Sequence, residues 1–154
     1  MDTNRTQTKP DQPAPSAARR NRFVAALAVA GVVVSAQPVA VARAVANLPS
    51  SAVAVVWGRT HGGTCTTHGD LMVTCESMNG GYANGGTTVG SVWLYDDLDG
   101  TDRYRHEERH ADQWAMFGPV FAVLYGAESA RTGGDAHHNV FERWAGLHDG
   151  GYLP

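Results

Sequence analysis

The segment RHEERHADQW, residues 105–114, holds the side chains of this sequence that are best suited to chemistry. His106 and His110 are four positions apart, and Glu107 directly follows the first histidine. On a helix that advances about 100° per residue, the two histidines lie within about 40° of each other and one turn apart. Both imidazoles can then reach one ion at about 2.1 Å, the usual distance between zinc and a histidine nitrogen. The spacing therefore predicts that His106 and His110 bind zinc.

Glu107 is predicted to have a different role from its neighbour Glu108. Helical geometry turns Glu107 toward the buried side, next to the metal, and turns Glu108 about a further 100° away. Glu107 can then take a proton from a water that the metal activates, which is the role of a general base. The alternative interpretation is that these histidines and glutamates only form hydrogen bonds at a helix surface.

The chain from about Thr87 to Tyr152 resembles the compact zinc metallopeptidase-like domains of the gluzincin type. The resemblance rests on a strand, then HEERHADQW, then an apolar helix, then HHNVFERWAGL. Gluzincins have H-E-x-x-H on one helix and a glutamate on a later helix. The resemblance implies that His106 and His110 are zinc ligands, that Glu107 is the general base and that Glu142 is the third ligand.

The third ligand has several candidates in the sequence. Glu142 is favoured because a charged residue within VFERWAG, among apolar neighbours, needs a reason to face inward, although a surface ion pair would also explain it. The rival ligands are Glu128, His137 and His138. A fourth protein ligand would close the coordination sphere and make the metal structural, whereas three ligands leave a position for water.

The pattern after residue 44 predicts an α+β fold. The runs AVAVVWG, LMVTC and TTVGSVWLY, separated by glycine-rich turns, predict a small antiparallel sheet of about three strands. Two to three helices are expected to follow the sheet, the first of them carrying H-E-x-x-H. Their expected bounds are about Asp102 to Phe117, Pro119 to about Arg131, and HHNVFERWAGL to near Gly146.

The first 44 residues predict an arm followed by an export segment. Residues 1–22 are rich in polar residues and proline, and we expect a disordered cytoplasmic arm. Residues 23–44 begin with the apolar run FVAALAVAGVVVSA, which follows three arginines and is typical of a cleaved signal peptide or a retained transmembrane anchor. Sites of the A-x-A type end at Ala36 and Ala44. A third interpretation is a buried helix of a cytosolic protein. Residues 45–154 would form an exported zincin-like domain.

The two cysteines of the chain favour export. Cys65 and Cys75 are ten residues apart and are predicted to form a disulfide in an oxidising compartment. The alternative is a pair of buried thiols.

These features together predict a zinc-dependent hydrolase, acting on a peptide or protein substrate, with zinc as cofactor. The alternative is a non-catalytic exported domain in which zinc or the Cys65–Cys75 disulfide is structural. Residues 45–154 carry six basic and 13 acidic side chains, so we expect no nucleic-acid partner. Contact with a membrane is expected only through the N-terminal segment.

Overall fold

The computed structural model describes residues 37–83, 85–96 and 103–152. The predicted cytoplasmic arm, the apolar run at residues 23–36 and the predicted helix start at Asp102 lie outside the described residues. The predicted α+β class is confirmed: the described part of the chain contains a four-stranded sheet and four helices.

Helix α1, Pro38–Thr60, precedes the sheet and has Pro38 in its first turn, where a missing N–H leaves no hydrogen bond unmade. The predicted strand AVAVVWG is wrong, because these residues form the last turns of α1. A short apolar run fits a strand and a buried helix equally well, and the predicted boundary at residue 45 divided α1 and hid its length. An apolar helix near the N-terminus is therefore present, but it extends well past residue 44.

The strands are β1 (Thr64–Thr67), β2 (Val73–Glu76), β3 (Thr87–Val89) and β4 (Val92–Leu94), in the spatial order β1-β2-β4-β3. β1 pairs with β2 and β3 with β4 in antiparallel fashion, but β2 and β4 are parallel. The predicted antiparallel sheet of about three strands is thus wrong in the parallel pairing of β2 with β4 and in its first strand, because β1 lies in a segment that was predicted as a turn. The run TTVGSVWLY forms two strands, because Gly90 adopts a left-handed φ of 63° and reverses the chain.

The predicted disulfide is confirmed: Cys65 on β1 is bonded to Cys75, directly opposite on β2. Cys75 is fully buried and belongs to the core with Ala54, Met78, Val92 and Leu94. Gly58 of α1 allows the helix to approach this core closely, since a Cβ on Gly58 would lie 2.9 Å from the Cys75 sulfur.

Three helices follow the sheet: α2 (Tyr104–Phe117), α3 (Val120–Thr132) and α4 (Val140–Ala145). Their bounds agree with the sequence prediction to within a few residues, except that the third helix is shorter than HHNVFERWAGL. The helix that holds His106 and His110 is α2, the second of the described helices, because α1 comes before the sheet.

Polar contacts join α1 to α2. The buried Arg43 guanidinium donates to Glu108 at 2.8 Å and to Asp112 at 3.2 Å. The Asn47 amide donates to the Ala111 carbonyl at 2.8 Å and to the Ser91 hydroxyl at 3.0 Å. Residues 38–44 are therefore integrated with the body of the protein.

Candidate metal centre

Three buried side chains bring their donor atoms together between α2 and α4. His106 and His110 lie one turn apart on α2, and their Nε2 atoms are 3.0 Å apart. The Glu142 carboxylate of α4 approaches both, with Oε2 3.0 Å from His106 Nε2 and Oε1 3.6 Å from His110 Nε2. The donor atoms all lie within 4.8 Å of one another, so this group could bind a metal ion.

The other ring nitrogen of each histidine, Nδ1, donates a hydrogen bond. His106 Nδ1 donates to the Gly146 carbonyl at 3.0 Å, and His110 Nδ1 donates to the Gln113 side-chain oxygen at 2.8 Å. A neutral histidine with its proton on Nδ1 presents the lone pair of Nε2. Two such lone pairs cannot hydrogen-bond to each other, so a cation between them resolves their close approach. Hydrogen bonds of this kind fix the orientation of metal-binding histidines.

Glu142 is placed by the start of α4 and by a tyrosine of α3. The Asn139 side chain caps α4 by accepting from the Phe141 and Glu142 amides. The Tyr125 hydroxyl donates a short hydrogen bond to Glu142 Oε1. Burial raises the pKa of the Glu142 carboxyl, but the polar groups around it, the two imidazoles and the Tyr125 hydroxyl, outweigh burial and hold the pKa well below its usual range.

The second carboxylate oxygen of Glu142 is a further available donor atom for a metal ion. Among the described residues, Oε2 is buried without a hydrogen bond of suitable geometry, although His106 Nε2 lies 3.0 Å away. A buried carboxylate oxygen without a partner is costly, and a metal ion would satisfy it. The donor set of two imidazoles and one carboxylate therefore fits a divalent transition metal.

The rival third ligands lie elsewhere. Glu128 bonds to Arg131 and to the Val140 amide, and these hydrogen bonds lower the pKa of Glu128 to about 2. His138 lies on the surface and pairs with Asp135 at 2.7 Å, while His137 is exposed. Among the described residues, the metal-binding group thus contains His106, His110 and Glu142 and none of these three rivals.

Glu107 lies beside the metal-binding group and lines the same cavity, which has a volume of about 280 Å³. Its carboxylate is buried and accepts a hydrogen bond from the Thr88 hydroxyl of β3 at 2.7 Å. The neighbouring Glu108 points to the other side of α2, where it pairs with Arg43. The two carboxylates are therefore separated as helical geometry predicts.

The C-terminal segment closes one side of the cavity. Tyr152 lines it, with its ring 5.9 Å from the His106 ring, and burial together with the charge of Glu142 raises the pKa of Tyr152 to about 12. Gly150 packs on His106, since a Cβ there would lie 2.8 Å from the ring. His148 of the same segment is exposed beside Asp149.

Two residues of the candidate metal centre, Gln113 and Tyr125, were not predicted from the sequence. Gln113, three positions after His110, could have been found from the i,i+3 neighbour rule for helices. Tyr125 gave no local signal, because its contact with Glu142 joins α3 to α4 across 17 residues of sequence.

Comparisons with known proteins identify no relative. The chain matches no protein-family model, no curated protein and no solved structure.

Proposed function

We propose that the chain is a zinc-dependent hydrolase that cleaves peptide bonds. The observation that carries the proposal is the position of Glu107, a buried carboxylate that lines one cavity with His106, His110 and Glu142. A metal-binding group with three protein donors leaves a position for water, and a carboxylate next to it can serve as base. This combination is characteristic of metal-assisted hydrolysis.

Zinc is the metal that we propose for this group. Two histidines and one carboxylate form a common catalytic zinc site, although ferrous iron also binds this donor set in other proteins. When bound, zinc would polarise the substrate carbonyl and lower the pKa of a water at the open position.

The chain's own residues would carry the proton transfers. Glu107 takes the proton from the attacking water and passes it to the amine that leaves as the carbon–nitrogen bond breaks. Thr88 orients Glu107 through its hydroxyl. Tyr152 lines the cavity with a hydroxyl that can donate to the oxygen of the attacked carbonyl.

Strand β3 supports a peptide as substrate. It lies at the edge of the sheet, and Thr87, Thr88 and Val89 all line the cavity. An edge strand offers backbone groups to which an extended peptide can add. One of these groups, the Thr88 carbonyl, already accepts from the Trp114 indole at 2.9 Å, so a peptide would use the remaining ones.

The alternative function is a non-catalytic domain in which the metal only ties α2 to α4. A fourth protein ligand would favour it, because a closed coordination sphere excludes water. Among the described residues no fourth histidine, cysteine or carboxylate joins the group, which favours the hydrolase.

We also propose that the protein is exported. The Cys65–Cys75 disulfide and the apolar helix near the N-terminus are compatible with export. The apolar run at residues 23–36 would serve as signal or anchor, and the substrate would then be an extracytoplasmic peptide or protein.

Two substitutions distinguish the role of a general base from that of a metal ligand, namely Glu107→Gln and Glu142→Ala. Glu107→Gln should retain the metal and lose roughly 10²- to 10⁴-fold in hydrolysis of an unstructured peptide library, because the general base is gone. Glu142→Ala should lose the metal itself, whereas the control Glu128→Ala should keep both metal and activity. Elemental analysis of the purified protein reports which metal is bound and in what amount.

Two results would contradict the proposal. If Glu107→Gln loses metal as completely as His106→Ala, then Glu107 supports the site and is no base. If the wild type binds one zinc ion and cleaves no member of the library, the structural alternative replaces the hydrolase.

A further inference from the structure

Helix α1 differs from an ordinary surface helix in where its large apolar residues lie. Its side toward the protein body buries small residues, Ala40, Ala54 and Gly58, together with the polar Arg43 and Asn47. Its outward side carries large apolar residues that are mostly exposed, namely Val39, Val45, Leu48, Val53 and Val56. A surface helix of a globular protein normally buries its apolar side and exposes its polar side. An exposed apolar face of this length marks an interaction surface.

The outward face is also almost free of charge. Among the residues of α1, only Arg43 and Arg59 are charged, and Arg43 is buried against Glu108 and Asp112. Arg59 stands at the C-terminal end of the helix. A face that spans most of a 23-residue helix, about 35 Å at 1.5 Å per residue, therefore offers only apolar and small groups to a partner.

The hydrogen bonds of α1 determine how it can meet a bilayer. Among the described helices, α1 alone is long and apolar enough to cross a membrane, and only 22% of its most apolar stretch is buried. A crossing helix would carry Arg43 and its partners Glu108 and Asp112 into the hydrocarbon, which is costly. A helix that lies along the bilayer surface keeps these ion pairs on the protein side.

The chain that precedes α1 points to lipid as the partner. The apolar run at residues 23–36 ends at Ala36, so that only Gln37 separates it from Pro38, the first residue of α1. If that run enters or crosses a bilayer, α1 starts at the bilayer surface, with its apolar face available to the acyl chains.

We propose that the outward face of α1 lies in the interfacial region of a lipid bilayer, with its valines and Leu48 among the acyl chains. The polar side of the helix is satisfied by the protein body and not by water, which distinguishes α1 from a free amphipathic helix. No residue that lines the cavity belongs to α1, so the metal centre stays accessible when the helix is seated. The proposal rests on residues 23–36 being retained as the anchor, as in the full chain, and does not depend on the hydrolase function.

A fluorescent label on the full chain tests this surface. Val53→Cys and Val123→Cys place one label each on valines of matched exposure, 69% on α1 and 70% on α3. The native cysteines are protected by their disulfide. Each protein is reconstituted in vesicles of phosphatidylethanolamine and phosphatidylglycerol, and the label is quenched by nitroxide lipids or by aqueous iodide. The label at position 53 should be quenched several-fold more by nitroxide lipids than by iodide, and the label at position 123 should show the reverse.

Three outcomes would overturn the proposal. Equal quenching patterns at positions 53 and 123 would mean that α1 has no preferred contact with lipid. A label at position 53 that neither quencher reaches would mean that protein covers the face, for example residues 23–36 folded back on α1. Oxidative cross-linking of Val53→Cys between two copies, unchanged by dilution in lipid, would identify a second copy as the partner.

Discussion

At the scale of single residues, the geometry of the candidate metal centre depends on groups other than its three donor side chains. Each histidine is oriented by a hydrogen bond at Nδ1, and Glu142 is oriented by Tyr125. Partners of this kind usually account for 10- to 100-fold in metal affinity.

Tyr125→Phe tests this dependence. The substitution removes the hydroxyl that donates to Glu142, so zinc affinity should fall by roughly 10- to 100-fold while the ligands stay in place. Tyr104→Phe is the matched control, since the Tyr104 hydroxyl also bonds to a carboxylate, that of Asp70 at 2.8 Å. Competition with a chromophoric chelator measures the affinity of both variants. Equal losses of affinity would mean that Tyr125 acts only through the stability of the fold.

The sequence predicted the metal-binding group in part. The i,i+4 spacing places His106 and His110 on one side of a helix without any tertiary information. Glu142 was selected from four candidates by its apolar neighbours and by the resemblance, because its approach to the histidines depends on how α4 packs on α2 and gives no local signal. Tyr125 could not be predicted, since it reaches the cavity through a contact between α3 and α4.

At the scale of elements, α1 and α2 are joined by ionic and amide contacts as well as by apolar packing. Arg43 is 5% exposed and donates hydrogen bonds to three acceptors: Glu108, Asp112 and the Asp70 carbonyl. The Asn47 amide bonds to the backbone of α2. Helix α1 thus depends on its polar side for attachment to the body.

Arg43→Met should lower the free energy of unfolding by about 1–3 kcal/mol. It removes charge-assisted hydrogen bonds and leaves the Asp70 carbonyl without its donor, although the exposure of Glu108 and Asp112 limits the cost. Arg59→Met, an exposed arginine of the same helix, should change stability by less than about 0.5 kcal/mol. Denaturant unfolding of both variants provides the comparison. A loss in Arg59→Met as large as that in Arg43→Met would show that the ion pairs are not responsible.

The sequence predicted the later elements well and the early ones poorly. α2 and α3 are marked by glycine or proline at their ends and by helical spacing, so their bounds followed from local signals. α1 was not predicted because its large apolar residues are mostly exposed while its buried side is formed by small and polar residues, so the sequence has no ordinary amphipathic pattern there. The parallel pairing of β2 with β4 joins strands between which β3 lies in the chain, and no local pattern encodes it.

At the scale of the whole molecule, the position of α1 bears on how the exported chain would be processed. Ala44 lies inside α1, so cleavage after Ala44 would remove its first seven residues and Arg43 with them. Cleavage after Ala36 would leave α1 intact. The fold therefore favours Ala36 over Ala44 among the two predicted sites.

Intact-mass analysis of protein from an exporting host tests this preference. The mature chain should begin at Gln37, or remain whole if the segment is a retained anchor, with one disulfide in either case. Ala36→Leu should block any cleavage, whereas Ala44→Leu should leave it unchanged, because small residues are needed only at the cleavage site. A chain that begins at Val45 would show that the first turns of α1 are dispensable.

Helix α4 has only six residues, fewer than half of what an isolated helix needs to persist in water. Helix α4 is attached to α2 by side-chain hydrogen bonds: Gln113 donates to the Phe141 carbonyl, and Arg109 donates to the Ala145 carbonyl. Both histidines belong to α2, but the Glu142 carboxylate and the Gly146 carbonyl that orients His106 arrive only when α4 docks. Metal binding and the docking of α4 are therefore coupled. Amide hydrogen exchange at residues 140–145 would then be fast in the metal-free protein and slow after loading, while exchange in α2 changes little.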